Sequence, residues 1–312
     1  MKIAFVFPGQ GSQYIGMGQE LYDNYAEARE IFKCADNTLS MDLTKLCFQG
    51  PEEQLIKTAN TQPAILTTSV ATLAVLKSRG IKAQVAAGHS LGEYSALVAA
   101  GTLEFGDAVR IVQMRGRFMQ EAAPIGTAGM AAVLGLAGTA VVKVCEEASS
   151  YGVIQPANFN SPGQVVIAGA MAALEKAMEL AKAAGAKRVV KLAVSGPFHS
   201  SLMAPAGERL AAELDRISIK EPIIPVVANF SAEVVCSGQD VRHSLIKQVS
   251  NSVRWEESVE KMVALGVTHF IEVGPGKVLT GLIKKIAKEA TVLNVEDCTS
   301  LEIALDKLKE VG

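Results

Sequence analysis

A Gly-x-Ser-x-Gly pattern supplies the chain with one candidate nucleophile. The pattern runs from Gly88 to Gly92, with Ser90 at its centre. In many hydrolases it sets a serine on a tight turn between a strand and a helix. The stretch QVAAG before the serine has the composition of a strand, and LGEYSALVAA after it that of a helix. We therefore interpret Ser90 as a nucleophile; the alternative is a serine that only caps the helix.

A serine hydroxyl needs a base, and the sequence offers four histidines. His269 lies in the apolar stretch THFIEV and is expected in the core, whereas His243 lies in a polar helical stretch and is expected at the surface. His89 is adjacent to Ser90 and would point elsewhere from the turn. His199 follows a Gly-Pro pair in a loop, where catalytic residues gather. By elimination, His199 is the candidate base.

An arginine occupies the apolar face of a predicted helix over residues 107–122. With Arg115 at zero on a wheel of 100° per residue, Arg110 and Arg117 fall on the opposite side. The residues within about 60° of Arg115 are apolar: Ala108, Ile111, Val112, Phe118, Met119 and Ala122. A buried guanidinium needs a carboxylate partner or a polar cavity. Two interpretations stay open: an internal ion pair, or a substrate carboxylate, which Arg binds through two parallel hydrogen bonds.

Composition and charge exclude several classes of protein. The chain has 312 residues, of which 49% are hydrophobic and 20% charged, with a net charge of −2. It has neither a basic stripe for nucleic acid nor a polybasic helix for a membrane, and the apolar run at residues 3–7 is too short for a signal peptide. Five cysteines without a Cys-x-x-Cys pair argue against a disulfide framework or a zinc site. We therefore expect reduced thiols and a cytoplasmic protein.

Strand-like apolar runs alternate with helical patterns, which predicts an α/β fold. Between about residues 128 and 194 the order is βαββαβ, the split βαβ pattern of a ferredoxin-like domain. We therefore predict a large α/β-hydrolase-like domain with a parallel sheet and a small inserted ferredoxin-like α+β domain. The large domain comprises residues 1–126 and 196–312, and the small domain residues 127–195.

Three local patterns give further predictions. A long helix is expected to begin at an N-cap on Thr61 and to stop at Gly80. Near the C-terminus, HFIEVG predicts a strand, and the turn GPGK is followed by a last amphipathic helix. The stretch GQGSQY departs from the Gly-x-Gly-x-x-Gly dinucleotide pattern because residue 14 is tyrosine, so a nucleotide-binding loop is disfavoured.

Six motifs occur in the order of a known family. They are FPGQGSQ at 7–13, GHSLGEYSAL at 88–97, MRGRFMQ at 114–120, ANFNSPGQVVIAG at 157–169, GPFHS at 196–200 and IEVGPGKVL at 271–279. Through them, essentially the whole chain resembles the malonyl-CoA:acyl-carrier-protein transacylases, as a stand-alone acyltransferase of bacterial fatty acid synthesis.

The resemblance implies the catalytic roles. Ser90 would be the acylated nucleophile and His199 its base. In this family a backbone carbonyl, here that of Gln248, orients the histidine instead of an aspartate. The backbone N–H groups of Gln10 and Leu91 would form the oxyanion hole.

The resemblance also implies the substrate contacts. Arg115 would hold the free carboxylate of the malonyl group, and Phe198 would narrow the space beside the acyl α-carbon. Asn158 and Asn160 match positions near the pocket. The chain departs from the family pattern at none of the positions named.

The implied reaction is ping-pong transfer of the malonyl group from malonyl-CoA to the phosphopantetheine thiol of acyl carrier protein, without a metal or redox cofactor. The partners would be these two substrates, with no nucleic acid and no membrane, and we expect a monomer. A serine esterase or thioesterase would also explain Gly-x-Ser-x-Gly, but such enzymes usually carry their histidine near the C-terminus. A trans-acting polyketide acyltransferase would use the same chemistry on another carrier protein. A non-catalytic docking subunit is disfavoured by the set Ser90, His199 and Arg115.

Overall fold

The structure, a computed structural model, describes residues 1–124, 126–194 and 196–309. Its strands are β1 (Ile3–Phe7), β2 (Val85–Gly88), β3 (Ala128–Leu134), β4 (Ile154–Ser161), β5 (Gln164–Ala170), β6 (Arg188–Lys191), β7 (Val226–Val227), β8 (Val234–Val235), β9 (Val253–Arg254), β10 (His269–Val273) and β11 (Thr291–Val295). Its α-helices are α1 (Gln19–Asn24), α2 (Ala26–Leu39), α3 (Leu43–Gln49), α4 (Glu52–Leu55), α5 (Thr58–Ser78), α6 (Gly92–Ala99), α7 (Phe105–Glu121), α8 (Gly138–Ala148), α9 (Met171–Ala183), α10 (Ala204–Leu214), α11 (Gly238–Ser250), α12 (Trp255–Ala264), α13 (Val278–Ile286) and α14 (Cys298–Lys309).

A six-stranded sheet lies at the centre of the large domain, in the order β11-β10-β1-β2-β7-β8. Its neighbouring strands are parallel except for the pair β7 and β8. All residues of β1 are buried, and successive side chains point to opposite faces. Phe5 and Phe7 pack into one hydrophobic cluster, and Ala4 and Val6 into another. Apolar strands covered on both faces are typical of parallel sheets, and the predicted α/β class is confirmed.

A second sheet has the order β6-β3-β5-β4-β9, and the neighbouring strands among β3, β4, β5 and β6 are all antiparallel. With α8 and α9 these four strands follow the chain order βαββαβ that the sequence predicts. One face of the sheet, which includes Val165 and Ile167, packs with α8 and α9. The opposite face, which includes Met130 and Val166, belongs to the core of the large domain.

Strand β9 connects the two domains. Val253 and Arg254 follow the small domain by some distance in sequence, yet they pair in parallel with Asn158 and Phe159 of β4. The domain boundaries drawn from the sequence stay a prediction, and residue 195 lies outside the described residues.

Some local predictions need correction. Helix α5 begins at Thr58, with Lys57 as its N-cap, so Thr61 lies inside the helix, where its hydroxyl donates to the carbonyl of Lys57. The predicted strand HFIEVG is confirmed as β10, but the helix after GPGK is followed by β11 and α14, which the sequence analysis missed. Among the described residues, no helix combines the length and apolar character needed to cross a lipid bilayer.

Candidate active site

Ser90 lies on a tight turn between the end of β2 and the start of α6. Its φ is +52°, in the left-handed region that non-glycine residues rarely adopt. Gly92 is required because a Cβ there would lie 2.0 Å from the carbonyl oxygen of Phe7 in β1. Gly88 is required because a Cβ there would lie 1.9 Å from the carbonyl carbon of Gly92. The glycines therefore let strand, turn and helix pack close enough to expose the serine side chain.

Two amide side chains hold the backbone of the serine. The N–H of Ser90 donates to Asn229 Oδ1 at 2.6 Å, and the carbonyl of Ser90 accepts from Gln248 Nε2 at 2.9 Å. Asn229 Nδ2 in turn donates to the carbonyl of Gly88 at 2.7 Å. The strained turn is thus fixed by polar contacts on both sides of the nucleophile.

His199 is in contact with the serine. Its Nε2 lies 2.7 Å from Ser90 Oγ, and its Nδ1 lies 2.8 Å from the carbonyl oxygen of Gln248. A carbonyl can only accept, so Nδ1 carries the proton and Nε2 is free to accept the serine proton. Burial, and next the positive charge of Arg115, lower the pKa of His199 to about 3. The imidazole is therefore neutral at physiological pH, the state that a general base requires.

The other three histidines have different surroundings. His89 points to Asn160 instead of the serine, and its Nε2 lies 2.8 Å from Asn160 Oδ1. His269 is buried in β10, and His243 is exposed on α11, as the sequence predicts. The elimination that selects His199 thus agrees with the positions of all four rings.

Arg115 is 1% exposed and reaches the serine from α7. Its Nη1 donates to Gln62 Oε1 at 2.8 Å, and its Nη2 donates to Gln248 Oε1 at 2.9 Å and to Ser90 Oγ at 3.2 Å. Within the described residues its hydrogen-bond partners are these neutral groups and no carboxylate forms an ion pair with it; Glu93 acts on it through its charge, with Gln248 between them. The internal ion pair considered from the sequence is therefore absent from this part of the chain.

Two backbone N–H groups near the serine have no acceptor within the described residues. They belong to Gln10, in the loop after β1, and to Leu91, at the start of α6. The N-terminus of a helix carries a partial positive charge, which favours a developing oxyanion. Gln10 and Leu91 both line the cleft that contains Ser90.

A cleft of about 250 Å³ opens above the serine and is lined by both domains. Asn158 and Asn160 occupy alternate positions on β4, so both face it, and Phe198 lines it beside the base. The cleft brings together eight of the nine residues predicted from the sequence: Gln10, Ser90, Leu91, Arg115, Asn158, Asn160, Phe198 and His199. The ninth, Gln248, lies behind the cleft and contacts three of them. Among the described residues, no group of three or more His, Cys, Asp or Glu could hold a metal ion.

A model of the family described as "Acyl transferase domain" matches residues 4–305. The chain belongs to this acyl transferase family. It is 51% identical over 310 residues to the malonyl CoA-acyl carrier protein transacylase of Bacillus subtilis (strain 168), which covers 99% of this chain and 98% of the relative. The resemblance drawn from the motifs is confirmed.

Solved structures of similar fold superpose on nearly the whole chain of this acyl transferase. The crystal structure of malonyl CoA-acyl carrier protein transacylase from Clostridium perfringens ATCC 13124 has a TM-score of 0.97 and 48% identity, covering 100% of this chain and 98% of that one. A malonyl-transacylase solved in complex with a type II PKS acyl-carrier protein has a TM-score of 0.96 and 46% identity, covering 98% of this chain and 100% of that one.

Three polar residues around the site of this acyl transferase were missed by the sequence analysis: Gln62, Glu93 and Asn229. Gln62 lies in α5, a helix buried on nearly all sides, so its periodicity gives no sign of which face meets the site. Asn229 follows a strand of only two residues. Glu93 carried a usable signal, since it is a charged residue among small and apolar ones in the helix after the serine.

Proposed function

We propose that the protein transfers the malonyl group of malonyl-CoA to the phosphopantetheine thiol of an acyl carrier protein. The single observation that carries this proposal is the placement of Arg115. Its guanidinium is buried, lacks a carboxylate partner among the described residues, and lies 3.2 Å from Ser90 Oγ. A donor with a free carboxylate at the far end of the acyl group would supply an anion in direct contact with the guanidinium. The names of the relatives support the same donor and acceptor.

The first half-reaction acylates the serine. His199 Nε2 takes the proton of Ser90 Oγ as the oxygen attacks the thioester carbonyl. The backbone N–H groups of Gln10 and Leu91 stabilise the oxyanion, a contact worth roughly 3 to 4 kcal/mol for one donor. The intermediate collapses, and His199 returns the proton to the departing sulfur of CoA. The carbonyl of Gln248 holds the proton on Nδ1 throughout, so that Nε2 is the nitrogen that gains and loses the transferred proton.

The second half-reaction repeats these steps with another thiol. The phosphopantetheine thiol of the carrier protein enters the cleft, gives its proton to His199 and attacks malonyl-Ser90. The acyl group leaves on the new sulfur, and the proton returns to Ser90 Oγ. This ping-pong sequence uses a serine nucleophile, a histidine base and backbone N–H donors of the protein, and it calls for no metal or redox cofactor.

Transfer instead of hydrolysis requires that water reach malonyl-Ser90 poorly. A malonyl carboxylate bound by Arg115 would fix the acyl group within the cleft, beside Phe198, and leave little room for a water at the carbonyl. We expect Arg115→Ala to raise the ratio of free malonate to malonyl carrier protein, as measured with radiolabelled malonyl-CoA. An unchanged ratio would contradict this role of the guanidinium.

Intact-mass measurement tests the proposal directly. Wild-type protein mixed with malonyl-CoA should gain one malonyl group, and added carrier protein should remove it; Ser90→Ala should gain nothing. In Arg115→Ala we expect acylation by malonyl-CoA to fall about 100-fold or more, because charge-assisted hydrogen bonds are lost. Acetyl-CoA, which lacks the carboxylate, is the matched donor and should lose far less.

The same experiment separates the rivals. Release of free malonate without an acceptor would support an esterase or thioesterase, and the absence of any adduct would support a non-catalytic docking protein. An equal loss with both donors in Arg115→Ala would contradict the carboxylate-binding role.

A second acceptor deserves its own test because one relative was solved with a type II PKS acyl-carrier protein. The alternative function is therefore malonyl transfer in polyketide assembly, with the same residues and the same donor. Competition between a fatty-acid and a polyketide carrier protein for malonyl-Ser90 would distinguish the two, as the preferred acceptor is malonylated first.

We further propose that one chain suffices and that the protein acts as a monomer in the cytoplasm. Every residue of the proposed mechanism comes from the same chain. Light scattering should give a mass near 32.9 kDa, and a dimer mass at assay concentration would contradict the monomer.

A further inference from the structure

A buried carboxylate lies in the helix turn that follows the nucleophile and has no part in the mechanism above. Glu93 is in the first turn of α6 and is 2% exposed. Its Oε2 accepts the backbone N–H of Asn229 at 2.8 Å and Nε2 of Gln248 at 2.8 Å. Its Oε1 receives a long contact of 3.5 Å from the hydroxyl of Ser244.

The two strong partners of Glu93 are the same residues that hold the reacting groups. Asn229 uses its side chain to fix the N–H of Ser90, and Gln248 uses its side chain to fix the carbonyl of Ser90. Gln248 also accepts from Arg115 through Oε1 and from His199 through its backbone carbonyl. Ser90, His199 and Arg115 are therefore each connected to the carboxylate of Glu93 through a single intervening residue.

A carboxylate suits this position because it only accepts hydrogen bonds. Gln248 Nε2 faces two acceptors, Glu93 Oε2 and the carbonyl of Ser90, so its Oε1 must face Arg115. The reversed amide would turn Oε1 toward the carboxylate and the NH₂ group toward the guanidinium, and both contacts would be repulsive. Glu93 thus determines which way the Gln248 amide points.

We propose that Glu93 is a positioning residue, whose carboxylate orients the Gln248 amide and anchors Asn229. Through these two residues it would hold Ser90, His199 and Arg115 in the relative positions that acyl transfer requires. The inference rests on the proposed function and extends it to a residue that touches no substrate. This role requires an oxygen of residue 93 that accepts hydrogen bonds from Asn229 and Gln248, and a side chain of similar shape without such an oxygen would not fulfil it.

Glu93→Ala and Glu93→Gln provide the test. The glutamine keeps one oxygen for Asn229 and Gln248 and can donate its NH₂ group to the hydroxyl of Ser244, so it should retain most of the rate. The alanine leaves both partners free to move. A displacement of about 1 Å at a reacting group can reduce the rate about 100-fold, so we expect kcat to fall by about that factor in Glu93→Ala with a much smaller change in KM.

Single-turnover acylation by malonyl-CoA and by acetyl-CoA should be measured for each variant, together with thermal melting. Both donors should be affected in Glu93→Ala, because the serine itself is displaced. Glu93→Asp retains the charge but withdraws the carboxylate by one methylene, so it serves if the alanine variant does not fold; we expect about a tenfold loss.

Ile167→Ala is a matched stability control, because Ile167 is buried in the small domain away from the cleft lining. Wild-type acylation rates in a folded Glu93→Ala would overturn the positioning role, as would an equal loss in Glu93→Gln and Glu93→Ala. A similar loss of rate in Ile167→Ala would also overturn it. Failure of the wild-type protein to form any malonyl adduct would contradict the proposed function instead.

Discussion

At the scale of single residues, Arg115 carries a positive charge that no carboxylate of the described residues contacts. Its hydrogen bonds to Gln62 and Gln248 keep it oriented, while its charge acts on its surroundings. One effect is on His199, whose pKa is lowered first by burial and then by this guanidinium. The charge that we propose binds an anionic acyl group therefore adds to the burial that keeps the base unprotonated.

Removing the guanidinium should raise the pKa of His199. Below its pKa the imidazole is protonated and cannot accept the serine proton, so acylation declines at acid pH. In Arg115→Ala the positive neighbour is lost and water enters, and both changes favour the protonated ring. We expect the acid limb of kcat/KM for acetyl-CoA to move to higher pH. Arg117→Ala, on the exposed side of the same helix, is the control; equal profiles for all three proteins would contradict this coupling.

Ionisation of Glu93 should lower the stability of the protein. Burial raises the pKa of this carboxyl to about 6 from 4.5, so the folded state holds the proton more tightly than the unfolded state. The resulting stabilisation is present below about pH 4.5 and is lost as the pH rises through 6, by about 2 kcal/mol. Glu93→Gln lacks this ionisation. The free energy of unfolding of wild type minus that of the variant, from urea titrations, should fall by that amount between pH 4 and pH 7.5; a constant difference would contradict it.

At the scale of elements, local patterns predict the strand–turn–helix around Ser90 and the amphipathic helix α7. Both depend on signals within a few residues: glycines that permit close approach, and a helical period that puts Arg115 inward. Glu93 has a local signal, a charge among small and apolar residues, but its contact with Asn229 has none, because that contact joins segments more than a hundred residues apart. The apolar stretch IIPVVANF at residues 223–230 does predict a strand, of which the structure forms only the two residues of β7, but no local pattern marks the side chain of Asn229 as a partner of Ser90.

The close packing of α6 on β1 predicts a large cost for a single methyl group. In Gly92→Ala the new Cβ would lie 2.0 Å from the carbonyl oxygen of Phe7, a backbone atom that cannot turn aside. We expect a loss of at least about 3 kcal/mol in the free energy of unfolding, at the upper end of overpacking effects. The control is Gly281→Ala, at an exposed position of helix α13 where a Cβ would meet nothing within 4 Å. This substitution should stabilise the protein by roughly 0.5 to 1 kcal/mol. Chemical unfolding of both variants decides the matter, and similar stabilities would contradict the packing argument.

At the scale of the whole molecule, the two sheets are not independent. The sheet of the small domain has one face in its own core and the other in the core of the large domain. Strand β9, from the C-terminal segment, extends it by two residues, and Ser252 Oγ adds a hydrogen bond to the carbonyl of Pro156 at 2.6 Å. The sequence predicts the insertion from its βαββαβ order, but it could not predict this attachment, because pairing over two residues depends on the tertiary fold.

Shared cores predict that the protein unfolds in one transition. Ile167 is fully buried between the sheet and helices of the small domain, so Ile167→Ala should remove about 2 to 5 kcal/mol of stability. If the domains unfold together, calorimetry should give a single peak that moves to lower temperature as a whole, with equal calorimetric and van't Hoff enthalpies. Ile303→Ala, at a side chain that is 56% exposed on α14, should leave the peak in place. Two peaks, of which only one moves in Ile167→Ala, would contradict the coupling, because they would show that the small domain unfolds separately from the large one. Separate unfolding would remove the small-domain side of the cleft while leaving Ser90 and His199 in place.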